Sequence, residues 1–254
     1  MSTVNKRIAF RRMHESGFFI LPNAWDAGSA VRLTKLGFRA IASTSSGAAW
    51  AAGKEDGELG LEATLDYLST LVEATPVPVN ADFENGFADL PEEVGTNVRR
   101  LLETGVAGLS IEDWSGSYMY EQGLASERIA AARAAIDTID PTALLIARNE
   151  NFRVPGMPVQ ESIARAVAYA EAGADCLFVP FILDVGAVAE LVAAVAPKPV
   201  NVVVHQYDDD LISRLAAVGV RRCSVGGSLA HRAWSAFDTA ATTLRELELK
   251  VTNS

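Results

Sequence analysis

Two carboxylates stand at the end of an apolar run in residues 78–87, which read Pro-Val-Asn-Ala-Asp-Phe-Glu-Asn-Gly-Phe. Asp82 and Glu84 are two residues apart and come just before an Asn-Gly turn signal. Residues at this spacing point to the same face of a strand, so we expect the carboxylates to lie together at a strand end. Two like charges repel unless a cation neutralises them or one takes a proton. The pair therefore indicates a divalent-metal site or an acid/base site.

Later apolar runs end in polar residues in the same way, namely Glu112, Asp113, Arg148, Glu150 and His205. Neighbouring parallel strands lie about 4.8 Å apart, so these side chains can converge with the first two carboxylates. Carboxylate oxygens are ligands that suit Mg²⁺ or Mn²⁺. This grouping favours chemistry on an anionic substrate at a hard cation.

Structural interpretations stay open for several of these residues. Glu112 could cap the next helix, and Arg148 could form a structural ion pair with a neighbouring carboxylate. Residues 45–47, Ser-Ser-Gly, fit either a helix cap or a nest of backbone N–H groups for a carboxylate or phosphate. Sequence alone does not choose between these interpretations.

Alternating strand-like and helix-like segments must position these residues. The predicted strands are residues 17–21, 40–43, 77–82, 107–113, 143–148, 174–180, 199–205 and 221–225. Helical stretches lie between them, and four end at a glycine, the usual helix stop: Gly37, Gly105, Gly173 and Gly219. Eight such units with apolar strands predict an α/β fold, a (β/α)₈ TIM barrel, as a single domain over residues 1–254. A doubly wound open sheet is the alternative, but the first strand lacks a glycine-rich phosphate turn.

Composition limits the kinds of partner. The chain has 254 residues, 49% hydrophobic content and a formal net charge of −10, so we expect neither nucleic acid nor an anionic membrane as partner. No P-loop, GxSxG or HExxH motif occurs. Residues 1–12 lack an apolar signal segment, and no apolar run approaches the roughly 20 residues of a membrane span. A cytoplasmic location is expected, with Cys176 and Cys223 as buried thiols.

Three motifs resemble those of the isocitrate lyase/phosphoenolpyruvate mutase superfamily. They are residues 80–87 (NADFENGF), similar to the family's DxDxGYG metal loop, residues 108–113 (GLSIED), similar to its IED strand end, and residues 146–150 (IARNE). The resemblance extends from residue 21 to residue 226. It implies a barrel whose C-terminal helix is swapped between the subunits of a homodimer or homotetramer.

The resemblance also implies a metal site. Mg²⁺, with Mn²⁺ as the alternative, would be held mostly through waters near Asp82, Glu84 and Glu112, and Asp56 would contribute from the loop after the second strand. Glu112 would in addition belong to the catalytic machinery. In many family members an aspartate stands at the position of Glu84, so the longer side chain is expected to change the contact with the ion.

Substrate contacts are implied for a second group of residues. Ser46, Gly47 and Ala48 would bind the substrate carboxylate, Arg148 would bind or polarise the substrate as a catalytic residue, and Trp25 would line the pocket. The resemblance thus places a small carboxylate substrate beside the metal.

The segment after the fourth predicted strand departs from the family. Residues 114–122 read WSGSYMYEQ, without the KxCGH loop of the isocitrate and methylisocitrate lyases and without the lysine and asparagine of the phosphonomutase loop. Both citrate-type cleavage and phosphorus transfer are disfavoured by this segment. The remaining candidates for proton transfer are Tyr118, Tyr120, Glu121 and His205.

The sequence therefore predicts an enzyme, a Mg²⁺-dependent lyase that cleaves or decarboxylates a small 2-oxo acid through a metal-stabilised enolate. A second hypothesis is C–P bond chemistry on a phosphonate such as phosphonopyruvate. A third is a barrel that binds a dicarboxylate without turnover.

Overall fold

Parallel strands form the inner layer of the molecule. A computed structural model describes residues 1–180, 182 and 184–252. The strands are β1 (Phe19–Leu21), β2 (Asn23–Ala24), β3 (Ile41–Ser43), β4 (Val79–Asp82), β5 (Gly108–Glu112), β6 (Leu144–Arg148), β7 (Cys176–Phe178), β8 (Val200–Val203) and β9 (Arg222–Ser224). Each of β2 to β8 pairs in parallel with the next strand, and β9 pairs in parallel with β1.

Helices form the outer layer. They are α1 (Thr3–Glu15), α2 (Ala27–Lys35), α3 (Ser45–Ala51), α4 (Leu61–Glu73), α5 (Pro91–Glu103), α6 (Gln122–Ile139), α7 (Val159–Glu171), α8 (Val185–Val195), α9 (Asp209–Ala217) and α10 (Ser228–Thr252). A short 3₁₀ helix, Asn151–Arg153, follows β6. Within the described residues, no helix combines the length and hydropathy that a bilayer span requires.

Pro22 divides the first barrel strand into two segments. β1 pairs with β9, with Phe19 opposite Arg222, whereas β2 pairs with β3, with Asn23 opposite Ala42. Proline has no N–H to donate to a ladder, but the Pro22 carbonyl accepts from the Ala42 N–H at 2.8 Å. β1 and β2 thus act together as one strand that closes the barrel. The predicted TIM-barrel fold is confirmed.

Helix ends follow signals in the sequence. Asp26 caps α2, since its Oδ1 accepts from the Ser29 N–H at 2.6 Å, and the Ser29 Oγ accepts from the Asp26 N–H at 3.0 Å. Gly105 and Gly173 follow α5 and α7 with φ of +88° and +107°, a region that glycine enters without strain. These local signals fix where each helix returns the chain to the next strand.

An additional helix, α1, packs against residues that precede the strands. No helix is predicted there from sequence, because residues 1–12 are polar and basic. Phe10 is fully buried with Phe19, and Arg7 donates from Nε to the Val106 carbonyl at 3.0 Å and from Nη2 to the Leu102 carbonyl at 2.8 Å. The basic side chains of α1 therefore satisfy backbone carbonyls, a role that a polar sequence does not reveal.

His14 on α1 is buried and neutral. Its Nδ1 lies 2.9 Å from the Phe10 carbonyl oxygen, and its Nε2 lies 3.2 Å from Arg222 Nη1. The hydrogen bonds assign the proton to Nδ1, which donates to the carbonyl, and leave Nε2 as an acceptor. Burial and the neighbouring Arg222 cation lower the pKa of His14 to about 3.

The lowered pKa of His14 makes the fold sensitive to acid. The unfolded chain protonates this imidazole below about pH 6.5, and the native protein does so only near its pKa of about 3, so stability is lost as the pH falls through that window. At about pH 5 this group should cost roughly 2 kcal/mol of unfolding free energy. His14→Gln keeps an acceptor for Arg222, and denaturant unfolding should show a flatter dependence between about pH 7 and 5. His231→Gln, at an exposed position, is the control. If the unfolding free energy of His14→Gln depended on pH as steeply as that of wild type, the assignment would be contradicted.

Candidate active site

Two adjoining cavities lie at the C-terminal ends of the strands, where barrel enzymes carry their sites. The main cavity has a volume of about 870 Å³, and its polar wall includes Asn80, Asp82, Arg148, Asn201, His205 and Arg222. The acidic annex, of about 250 Å³, is lined by Glu84, Glu112 and Trp114, among others. Four residues line both spaces: Ser45, Asp56, Arg148 and Arg153. The structure therefore gathers the predicted carboxylates and the predicted arginine at one rim.

Arg148 lies at the centre of the carboxylates. Its Nη1 is 3.4 Å from Asp82 Oδ1 and 3.3 Å from Glu112 Oε2, and its Nε donates to the fully buried Glu150. Register explains the contact, because Arg148 is the direct cross-strand partner of Glu112. Burial opposes the charge of Arg148, but the carboxylates outweigh that effect and raise its pKa, so the guanidinium stays charged.

Asp82 and Glu84 do not share a strand face. β4 ends at Asp82, and Glu84 sits in the following turn with φ of +46°, in the left-handed region. The expectation of two carboxylates at neighbouring strand positions is corrected here: the turn directs Glu84 to the annex, whereas Asp82 lines the main cavity. The electrostatic coupling remains, since Asp82 still contributes to the raised pKa of Glu84.

Three carboxyl groups at this rim resist ionisation. Burial and the charges of Asp82 and Asp56 raise the pKa of Glu84 to about 8. Burial also raises the pKa of Glu112 to about 8 in spite of the nearby Arg148. The pKa of Asp56 is raised by burial and by Asp82. Burial and the neighbouring carboxylates therefore outweigh the nearby arginine cations in setting the pKa values of these three groups.

Direct metal-binding geometry is absent in the described residues, since no three His, Cys, Asp or Glu side chains there converge on one point. Ser45 instead ties two of the predicted ligands together. Its N–H and Oγ donate to Asp82 Oδ2 at 3.0 and 3.1 Å, and its Oγ lies 3.3 Å from Asp56 Oδ1. Metal binding stays a prediction for the four carboxylates Asp56, Asp82, Glu84 and Glu112. Their positions allow contacts with a metal ion through water molecules.

The predicted carboxylate-binding segment forms the first turn of α3. Thr44 is its N-cap: its Oγ1 accepts a long hydrogen bond of 3.4 Å from the Gly47 N–H, and its carbonyl accepts from the Ala48 N–H at 3.1 Å. Ser46 lines the main cavity. The N–H groups of Gly47 and Ala48 thus both have partners at Thr44, which leaves Ser46 as the best placed member of the predicted group.

Trp25 packs beneath α3 and is not among the residues that line the main cavity. A Cβ at Gly47 would meet Trp25 Cβ at 2.8 Å and Thr44 Cγ2 at 2.7 Å, so glycine permits this close approach. The aromatic side chains in the cavity wall are Trp50, Phe152 and Phe178. The pocket role of Trp25 stays a prediction, and these three aromatic residues are the ones that line the cavity.

Of the four candidates for proton transfer, His205 alone lines the main cavity among the described residues. Burial lowers the pKa of His205. Tyr118 is 55% exposed, Glu121 precedes α6 at the surface, and Tyr120 is buried with its hydroxyl 2.5 Å from Asp89 Oδ1. Burial raises the pKa of Tyr120 to about 12, which makes it a poor proton donor at neutral pH.

Asp113 belongs to a buried network outside both cavities. Its carboxylate accepts from Asn149 Nδ2 at 2.6 Å, the Glu150 N–H at 2.8 Å and the Tyr169 hydroxyl at 2.5 Å. Arg165 Nη1 lies 3.5 Å away. This network anchors the segment after β6, and so it positions Glu150 beside Arg148 without contacting the cavity.

Several cavity residues were missed from sequence. Arg153 pairs with Glu150 at 2.9 Å and lines both cavities, and Arg222 lines the main cavity from within β9. A charged residue inside the apolar run 221–225 is the signal that could have singled out Arg222. Arg153 stands three residues after Glu150 in a loop, a position that carries no such signal.

The barrel has eight strands when β1 and β2 are counted as one. It carries a polar cavity and a charged rim at its C-terminal face, which is the architecture of a barrel enzyme. The sequence model of the phosphoenolpyruvate phosphomutase family matches residues 10–245 of this chain. The chain therefore belongs to this family, within the PEP mutase/isocitrate lyase superfamily. The predicted superfamily and the predicted enzymatic character are both confirmed.

Relatives of known sequence include lyases. An uncharacterised protein of Mycobacterium tuberculosis strain H37Rv is 32% identical over 221 residues, which cover 86% of this chain and 82% of that protein. The 2,3-dimethylmalate lyase of Eubacterium barkeri is 32% identical over 169 residues, 63% of this chain and 57% of the lyase. Among solved structures, a Burkholderia cenocepacia J2315 protein assigned provisionally as a lyase or mutase has a TM-score of 0.90 and 42% identity, covering 96% of this chain and 88% of that chain.

Proposed function

We propose that the protein is a Mg²⁺-dependent lyase that cleaves or decarboxylates a small 2-oxo acid. The observation that carries this proposal is the Arg148 guanidinium, held between Asp82 and Glu112 where the main cavity meets the acidic annex. A fixed cation suits a substrate that is anionic and develops further negative charge, and the carboxylates beside it would hold a second cation that serves the same purpose.

The residues of the annex fit a divalent cation held mainly through waters. Asp56, Asp82, Glu84 and Glu112 supply only oxygen donors. Burial and neighbouring carboxylates raise the pKa of Asp56 and Glu84, and burial raises that of Glu112, so a bound cation would favour their ionised forms. Mg²⁺ keeps several waters and takes one or two carboxylates in such sites. When bound, it would supply Lewis-acid stabilisation of negative charge on a substrate oxygen.

Arg148 and α3 would orient the substrate. Nε and Nη1 of Arg148 face carboxylates of the protein, and Nη2, which none of these carboxylates contacts in the described residues, would donate to the substrate carboxylate in the main cavity. The backbone N–H of Ser46 would donate to the same carboxylate end. Trp50 and Phe178 in the wall reduce contact with water, which strengthens these charge interactions.

His205 would carry the proton. Its imidazole lines the main cavity, and burial lowers its pKa, so it is neutral at pH 7 and able to accept a proton. Tyr120 is excluded from this role by its buried contact with Asp89.

A substrate panel tests the proposed function. The purified protein is incubated with 2-oxo acids and with phosphonopyruvate, in Mg²⁺ or in EDTA, and pyruvate, CO₂ and phosphate are measured. Mg²⁺-dependent release of pyruvate or CO₂ from a 2-oxo acid is the expected result. Phosphate release would support C–P chemistry instead, and ligand-induced thermal stabilisation without any product would support a binding protein.

A homodimer or homotetramer is proposed as the assembly, with α10 as the exchanged helix. Ala230 is the buried residue among the 25 of α10, and Trp234, Phe237 and Leu244 expose apolar side chains. A long helix with apolar residues in water is expected to pack on another subunit. Oligomerisation through this helix would cover that surface.

Charged substitutions on α10 should therefore dissociate the protein. The double variant Trp234→Glu/Phe237→Glu places two charges in the proposed apolar contact, and we expect a monomer in light scattering coupled to size exclusion. Thr242→Glu, at another exposed position of the same helix, tests for a general effect of charge. A wild type that is monomeric at micromolar concentration would contradict the assembly.

A further inference from the structure

Arg222 is a buried cation without an acidic partner. It is 2% exposed, its Nε donates to Asn201 Oδ1 at 2.9 Å, and its Nη1 lies 3.2 Å from His14 Nε2. Both partners are neutral, and in the described part of the chain the guanidinium forms no ion pair. Burial lowers the pKa of Arg222, as expected for a cation taken out of water. A buried charge of this kind normally has a counter-ion.

The side of Arg222 that faces α1 does not provide one. His14 Nδ1 carries the proton that is donated to the Phe10 carbonyl, so Nε2 serves only as an acceptor and adds no negative charge. Asn201 is similarly neutral and donates from Nδ2 to Ser224 Oγ at 3.1 Å. The remaining open side of Arg222 is the main cavity, which Arg222, Asn201 and Ser224 all line.

Strand register connects Arg222 to Arg148 through three successive pairings. Arg148 is opposite Phe178, Phe178 is opposite Asn201, and Asn201 is opposite Arg222. All four residues line the main cavity, as expected for positions on one register line of a barrel. Three strand spacings amount to roughly 14 Å along the curved sheet, so the two long side chains face a common space.

We propose that Arg222, with Asn201 and Ser224, forms a second anion subsite inside the barrel, which binds a carboxylate at the end of the substrate remote from Arg148. The inference rests on the proposed function, because it assumes that Arg148 holds the 2-oxo acid end. One guanidinium with two neutral side chains matches the charge and the hydrogen-bonding capacity of one carboxylate. The favoured substrate class is thus a small 2-oxo diacid, and Arg222 determines specificity without taking part in bond cleavage.

Matched pairs of ligands test the subsite. Oxaloacetate is compared with 2-oxobutanoate, and 2-oxoglutarate with 2-oxopentanoate, by calorimetry in Mg²⁺; each pair differs chiefly in the distal carboxylate. Oxalate, too short to reach the second subsite, reports on the Arg148 end alone. Wild type should bind at least one diacid roughly 30-fold more tightly than its monoacid partner.

Two variants remove the subsite in different ways. Arg222→Gln deletes the cation, and Asn201→Asp keeps it but supplies an internal carboxylate that occupies it. Each should abolish the preference for the diacid and leave the affinity for oxalate unchanged within about twofold. Asn201→Asp should also raise the thermal midpoint, because Arg222 then has an ion-pair partner. Arg221→Gln removes the same charge from the neighbouring residue, which donates to the Gly17 carbonyl and does not line the cavity, and it should bind like wild type.

The outcomes separate the two proposals. Equal affinities for diacid and monoacid in wild type, with oxalate bound, would overturn the subsite and leave the proposed function standing. A diacid preference that both variants abolish, in a protein without Mg²⁺-dependent turnover, would support the subsite and overturn the lyase. If Arg222→Gln does not fold, Asn201→Asp decides: an unchanged diacid preference in that variant overturns the inference. Absence of binding by every ligand would overturn both.

Discussion

The Asp82→Ala variant is expected to lose Mg²⁺-dependent turnover by at least about 100-fold, while its fold survives. Asp82 ends β4 at the cavity and is not part of the apolar core, so its removal leaves no large void. Its Oδ2 holds the Ser45 N–H and hydroxyl, and its Oδ1 faces Arg148. Loss of this carboxylate therefore removes a proposed metal ligand and releases both α3 and Arg148 from their shared anchor.

Thermal stability provides a readout of Asp82 that is independent of activity. Mg²⁺ should raise the melting temperature of wild type, because a ligand that binds only the native state stabilises it, and it should have little effect on Asp82→Ala. Asp66→Ala, on the exposed side of α4, makes the same substitution away from the site and should behave as wild type. Full turnover in Asp82→Ala, or an unchanged response to Mg²⁺, would rule out the proposed metal site.

The barrel was predictable from sequence because each of its units carries its own local signals. Apolar runs of strand length mark the barrel strands. Gly105 and Gly173 mark the points where a helix must end and the chain must turn into the next strand. The helix α1 escaped prediction for a physical reason. Besides Phe10, its buried face consists of Lys6, Arg7 and His14, whose polar atoms are satisfied by carbonyls and by a side chain far away in sequence.

The candidate site was predictable in its members but less so in its geometry. Strand ends bring Asp82, Glu112 and Arg148 to one rim, and the register of β5 and β6 fixes the last two as cross-strand partners. The expectation that residues two apart share one face of a strand failed at Glu84, because the backbone enters a left-handed conformation directly after β4. Side chains alternate between two faces only within a strand. The point where β4 ends depends on its pairing with β5, and a single sequence does not contain that information.

Arg148 also explains why the charged rim is compatible with a stable fold. It is the cation nearest to Asp82, Glu112 and the fully buried Glu150, and Glu150 has a second partner in Arg153. The proposed binding group for the substrate is thus also a counter-ion for the protein itself. Substitution at Arg148 should consequently affect stability as well as catalysis.

The Arg148→Met variant should lose about 3 kcal/mol or more of unfolding free energy at neutral pH, since it leaves buried carboxylates without their partner. Turnover should fall by at least about 100-fold, because the group that orients the substrate is gone. Glu112 has a pKa of about 8 even beside Arg148, and the variant loses the lowering effect of that cation, so the part of the deficit that Glu112 causes should shrink as the pH falls toward about 8. Urea unfolding at several pH values measures the deficit, and steady-state assays measure turnover.

Two further variants assign the Arg148 effect to its charge and to its shape. Arg99→Met makes the same substitution on the exposed side of α5, where Arg99 donates only to Thr96, and its stability should stay within about 0.5 kcal/mol of wild type. Arg148→Lys keeps the charge and should recover much of the stability, but an ammonium cannot reproduce the planar paired hydrogen bonds to a carboxylate, so turnover should remain low. If Arg148→Met were as stable as Arg99→Met, Arg148 would be a substrate ligand without a structural role.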